Sequence, residues 1–140
     1  MKVVKAKTSN ATEASGHYSR AIAVGDWILV SNTAGRDPRT GEFPADAGAQ
    51  AEVVFEIASA ALAALGSSLK DVVRAQIAVP DPADVPAVMR VFSARFDGVE
   101  PALTLTSAPL ASAAYKVEIE FTAYRGAGSA ETETVAVVFS

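Results

Sequence analysis

The 140-residue chain contains no cysteine, one histidine (His17) and one tryptophan (Trp27). Without thiols it has no disulfides, no thiolate metal ligands and no cysteine nucleophile. That absence fits a reducing compartment, and a cytoplasmic protein is expected. A lone histidine cannot build a metal centre, so no metal is expected, and no Ser-His-Asp order for a nucleophilic triad is evident. Positive charge is also short. Lys and Arg number 12 against 16 Asp and Glu, a net charge of −4, and the charges are scattered. No basic stripe is available to neutralise a phosphate backbone, which argues against a nucleic-acid partner. Long hydrophobic runs are missing too. The most apolar stretch, around Ile57 to Leu65, reads as too short and too rich in alanine to span a bilayer. Met1 to Lys7 is basic but has no apolar region behind it, so it does not read as a secretory signal. A soluble protein with no membrane partner is expected.

What is present suits one domain with one core. A chain of this length can bury roughly 68–70% of its unfolded surface and needs no covalent staple. Two segments carry a helical period. From Asp46 to Gly66, apolar residues fall at Val54, Ile57, Ala58, Ala61, Leu62 and Leu65, one stripe at 3.6-residue spacing. Asp46 suits the N-cap, and Gly66 suits the stop. A second stripe, Val85, Val88, Met89, Phe92 and Phe96, predicts a helix over 84–97, with Pro86 in its first turn and Gly98 just past its end.

Strand signals flank these helices. Tyr18 to Val24 and the apolar run Trp27 to Val30 are joined by Gly25-Asp26, a hairpin turn pair. Val72 to Val79 is rich in β-branched residues and stops at Pro80. Leu103 to Thr106 alternates. Tyr115 to Tyr124 alternates most cleanly, with Val117, Ile119, Phe121 and Ala123 on one side and Lys116, Glu118, Glu120 and Thr122 on the other. The expected order is β-β-α-β-α-β-β, an α+β fold with a mixed sheet and both helices on one face. Residues 1–125 form the domain. Gly126 to Ala130 reads as a flexible linker. Beyond it Val135, Val137 and Phe139 alternate, so Thr134 to Phe139 is expected to add a strand, on its own subunit or on a neighbour. Trp27 to Val30 is apolar on both faces, and the chain has no third helix to cover the second face. Another copy of the chain is the economical cover, which predicts an oligomer.

The order and spacing of several motifs point further. Gly16-His17-Tyr18-Ser19-Arg20-Ala21-Ile22, Gly25-Asp26 with Trp27-Ile28-Leu29-Val30-Ser31, the turn-rich Asp37-Pro38-Arg39-Thr40-Gly41, and Gln50 at the start of the long helix form one series. Gly66 with Leu69 to Val73, Pro101-Ala102 and Val117-Glu118-Ile119-Glu120 continue it. Together they resemble the YjgF/Rid (reactive intermediate deaminase) family over about Gly16 to Arg125. The resemblance implies a ferredoxin-like, chorismate-mutase-type subunit and a homotrimer whose clefts at the subunit interfaces bind small molecules, with no metal or organic cofactor. In deaminating members, it implies a glutamate on the last strand that positions water against an imine, a tyrosine from the first hairpin, and an arginine just after Pro-Ala that grips the substrate carboxylate.

Carried onto this chain, the glutamate is Glu120 and the tyrosine is Tyr18. Leu103 stands at the arginine position, and Asn32 stands where a glycine follows the serine. A leucine cannot replace a bidentate guanidinium–carboxylate grip, which argues against 2-imino acid deamination. Arg36 is a candidate replacement cation, with anchoring of its own loop as the plainer reading. Leu103 and Leu105 either make an apolar pocket or belong to the core. Glu120 reads from spacing alone as a solvated strand carboxylate, Glu118 as surface or an ion pair, and Tyr18 as a packed ring with a bonded hydroxyl. Arg74 and Gln76 read as facing solvent or a neighbour. Two functional classes follow: a hydrolase of imine- or enamine-type metabolites with Glu120 as catalytic residue, or a non-catalytic ligand-binding or protein-interaction module on the same fold.

Overall fold

A computed structural model describes residues 1–140. In chain order the elements are β1 (Val3–Ala6), α1 (Ala11–Ser15), β2 (Ala21–Val24), β3 (Trp27–Ala34), α2 (Ala47–Ala64), β4 (Val72–Ala78), α3 (Val85–Arg95), β5 (Ala102–Thr106) and β6 (Glu118–Tyr124). The six strands form one sheet in the order β1-β2-β3-β6-β4-β5. All neighbours are antiparallel except β4 and β5, which α3 connects as a crossover. This is the expected mixed α+β sheet with α2 and α3 on one face.

Local chemistry sets the boundaries. The Asp46 side chain accepts from the Ala49 N–H at 2.8 Å and starts α2, satisfying a donor that the first helical turn leaves free. Gly66, at φ +74°, ends it in a conformation that costs glycine least. Gly35 matters for a different reason. A Cβ there would collide with the backbone of Gln50, so only glycine lets the end of β3 lie this close to α2.

Between sheet and helices lies one core. Phe55 of α2 meets Phe96 at 5.4 Å and Phe121 of β6 at 5.5 Å, ring centre to ring centre. A fully buried phenylalanine of this kind contributes about 1.5–3 kcal/mol through the area it removes from water. The inward set expected on the last strand, Val117, Ile119, Phe121 and Ala123, is buried throughout. α2 is 18 residues long with a mean hydropathy of 1.2, which by composition would pass for a membrane span. Here its apolar stripe, with Val54, Phe55, Ala58 and Leu62 wholly buried, packs on the sheet as a core helix. The opposite face of the sheet has no helical cover, and Trp27, Leu29 and Tyr124 are 51%, 49% and 41% exposed on it.

The structure departs from the sequence reading in several places. The first strand, β1, lies in the basic segment Val3–Ala6, where the alternation is too short to show. β3 runs on to Ala34, past a register shift between Val30 and Thr33. β6 begins only at Glu118, because Lys116 N–H is taken by the Gln50 side chain at 2.9 Å. Gly126 to Ala130, read as a flexible linker, contains a 3-10 turn over Ala127–Ser129, and Gly128 N–H donates to Asp71 Oδ1 at 2.8 Å. Thr134 to Phe139 forms no strand within this chain; Val135, Val137 and Phe139 are exposed.

Candidate functional site

Two depressions meet at Asn32. The smaller, about 310 Å³, lies on the uncovered face of the sheet. Its floor follows from register. Glu120 on β6 is level with Gln76 on β4, and Gln76 is level with Thr104 on β5. Neighbours at one level of a sheet share a face, so a carboxylate, an amide and a hydroxyl stand in a row. With its amide nitrogen turned to the carboxylate, Gln76 donates to Glu120, and its oxygen accepts from Arg74 Nη2 at 3.2 Å. Arg74 Nη2 also donates to Thr104 Oγ1 at 2.9 Å. Glu120 is thus linked to a cation, but only through Gln76.

The larger groove, about 730 Å³, runs between the segment Ala6–Tyr18, the loop after β3 and the outer face of α2. Tyr18, Asn32 and Arg36 line it, as does Glu118; Glu120 does not. Its inner wall is a buried ion pair that the sequence reading did not find. Glu13 of α1 and Arg20 are 1% and 6% exposed. Glu13 accepts from Thr8 N–H at 2.8 Å, Thr8 Oγ1 at 2.5 Å and Arg20 Nε at 3.2 Å. Arg20 Nη1 donates to Asn32 O and Thr33 Oγ1, both at 3.0 Å. Burial pushes the Glu13 carboxyl up, but the Thr8 donors and Arg20 outweigh it and hold the group below the ordinary glutamate range. Such a pair is not visible in local periodicity, because its members pair across a turn rather than along one face.

Tyr18 is fixed by this pair. Its hydroxyl lies 2.9 Å from Thr12 Oγ1 and 3.4 Å from Arg20 Nη2, and the guanidinium sits 5.5 Å from its ring centre. Asn32 owes its place to the register shift in β3. From there Asn32 Nδ2 donates to Glu118 Oε2 at 2.5 Å. Burial raises the Glu118 carboxyl above its usual range, against the pull of Arg20 and the Asn32 bond. Arg36 Nε donates to Gly41 O at 2.7 Å, so it anchors its own loop, and it does not line the depression that holds Glu120.

Leu103 and Leu105 stand elsewhere. They are level with Ala75 and Ile77, both buried on the helix side of the sheet. Leu105 packs on the core, and Leu103 is 38% exposed at the sheet edge. Neither lines either depression. Gln50, quoted in the sequence as a family marker, is buried and structural. Its amide donates to Pro44 O at 2.8 Å and Ala114 O at 3.0 Å, fastening the loops on both sides of the groove.

A family model described as endoribonuclease L-PSP matches residues 8–125. The chain belongs to the YjgF/Rid family. Among curated relatives, it is 36% identical over 114 residues to a RutC family protein of Sinorhizobium fredii, covering 81% of this chain and 90% of that one. It is 31% identical over 121 residues to the 2-iminobutanoate/2-iminopropanoate deaminase of Escherichia coli, covering 84% of this chain and 94% of the other. Among solved structures, a member of the YjgF/YER057c/UK114 family from Mycobacterium tuberculosis superposes with a TM-score of 0.81 at 27% identity, over 88% of this chain and 99% of that one. As a YjgF/Rid protein, the chain combines the family fold with a Glu120 row on one face of the sheet and Leu103 on the other.

Proposed function

We propose that this YjgF/Rid protein is a cytoplasmic homotrimer that binds small imines, or enamines through their imine tautomers, and hydrolyses the C=N bond, without metal or organic cofactor, on substrates that need no carboxylate grip. The observation that carries this reading is the Glu120 row. A carboxylate oriented by the Gln76 amide, beside the Thr104 hydroxyl, can hold a water and take its proton. The hydroxide adds to the imine carbon, the proton passes to nitrogen, and collapse of the adduct gives the carbonyl compound and ammonia. The relative named as a 2-iminobutanoate/2-iminopropanoate deaminase supports C=N hydrolysis as the reaction class. In a trimer whose clefts lie between copies, as the family resemblance implies, the Leu103 position of a neighbouring copy supplies no charge for a substrate carboxylate, which favours uncharged substrates.

The test is ammonia release from imines generated in situ, with uncharged and carboxylate-bearing substrates compared. Glu120→Gln should lower the rate by about 10²-fold or more. Wild-type rates in that variant would remove the assignment.

One observation favours a second reading, a ligand-binding module without catalysis. The larger groove gathers Tyr18, Asn32 and Arg36 but excludes Glu120. A ligand bound there with no turnover, and with affinity insensitive to Glu120→Gln, would favour this second reading over hydrolysis.

A further inference from the structure

The segment after β6 leaves an apolar strand pattern in solvent. Val135, Val137 and Phe139 are 73%, 81% and 91% exposed. The sequence just before them is acidic and alternates in step, with Glu131, Glu133 and then Val135 on one side. At the far edge of the sheet, β1 offers the complementary pattern. Val3, Lys5 and, one residue past the strand, Lys7 fall on one side, and β1 has a neighbour only in β2. We propose that Glu131 to Val137 pairs as an antiparallel strand on β1 of a second copy of this chain.

The register follows from charge. In antiparallel order, Val135 stands opposite Val3, Glu133 opposite Lys5 and Glu131 opposite Lys7. Opposite charges directly across a strand pair stabilise it, and like charges oppose it. Lysines on an edge strand turn away most other strands; one carrying glutamates in step is the partner they admit. Val3 is level with Val24, Val24 with Trp27, and Trp27 with Tyr124 on the uncovered face. Val135 would therefore extend an apolar row that already crosses that face. The other free edge, β5, has no lysine or arginine to receive the glutamates.

Reach makes the partner a second copy. Gly128 is fastened to Asp71 at the start of β4. β4 lies four strand positions from β1, so a strand added outside β1 would lie five positions away, roughly 24 Å at the usual spacing between strands. The five residues from Gly128 to Glu133 span at most about 18 Å. Through β6, β3 and β2, Val72 at the start of β4 is level with Val4, so Lys5 lies one residue further along β1. The segment cannot place Glu133 beside Lys5 of its own chain.

The absence of native cysteine gives a clean test. In the full-length Lys5→Cys/Glu133→Cys variant, a short thiol-to-thiol cross-linker should give covalently joined copies on a denaturing gel, and neither single variant should. In that background, Lys7→Glu should cut the yield by roughly tenfold, and adding Glu131→Lys should restore it. Retained yield in Lys7→Glu would overturn the register. Cross-linking confined within single chains, or none in the double-cysteine variant while circular dichroism shows it folded, would overturn the proposal.

Discussion

Leu103 and Glu120 project from opposite faces of the same sheet. Leu103 is level with the buried Ala75, and Glu120 with Gln76 on the uncovered face. Within one chain, a charge placed at position 103 does not join the depression that holds Glu120.

We expect little hydrolysis of 2-iminobutanoate by the wild-type protein, measured as ammonia or 2-oxobutanoate formed. Arg36→Ala should leave any residual rate unchanged, because Arg36 is committed to Gly41 O at 2.7 Å. If turnover is substantial, Arg74 is the cation linked to Glu120, and Arg74→Ala should remove it.

Light scattering at micromolar concentration should give a trimer. Trp27, Leu29 and Tyr124 form an apolar patch on the uncovered face, of the kind that oligomer interfaces bury. Leu29→Asp should shift the equilibrium toward monomer, and a monomeric wild-type protein would contradict the assembly.

Glu13→Ala should cost about 3–5 kcal/mol in urea unfolding at neutral pH, because it leaves the Arg20 charge buried without its partner. The Glu13 carboxyl is held below the ordinary value of 4.5. Its contribution is therefore present above that value and is lost as pH falls through the lower folded one. The acid limb of the wild-type stability curve should flatten in the Glu13→Gln variant.

Glu118 has the opposite sign. Burial raises its carboxyl, so the folded state holds a proton that the unfolded chain releases at lower pH. Its contribution is full below 4.5 and declines as pH rises toward the raised folded value. Glu118→Gln keeps an acceptor for Asn32 without the charge. It should raise the melting temperature at neutral pH and remove this slope.

Gln50→Leu should destabilise by about 2–4 kcal/mol, since two carbonyls and one N–H lose their partner in a part-buried site. Hydrogen exchange at the Lys116 amide should accelerate more than exchange at Ile119, which would separate loop release from global unfolding.

The sequence by itself determined the elements whose signal is local. The stripe from Val54 to Leu65 and the alternation from Val117 to Ala123 each show a period over several turns or pairs. α2 and β6 follow because burial demands that period. Motif order also determined the family. Tertiary structure decided what depends on partners distant in the chain. Which sheet face Leu103 occupies is set by its level beside Ala75. The strand at Val3 to Ala6 exists because β2 offers an edge to pair with. Arg20 is buried because Glu13, Thr33 and the Asn32 carbonyl close around it. Such contacts carry no periodic trace, because a buried charge is stabilised by whichever groups the folded chain brings within hydrogen-bond reach.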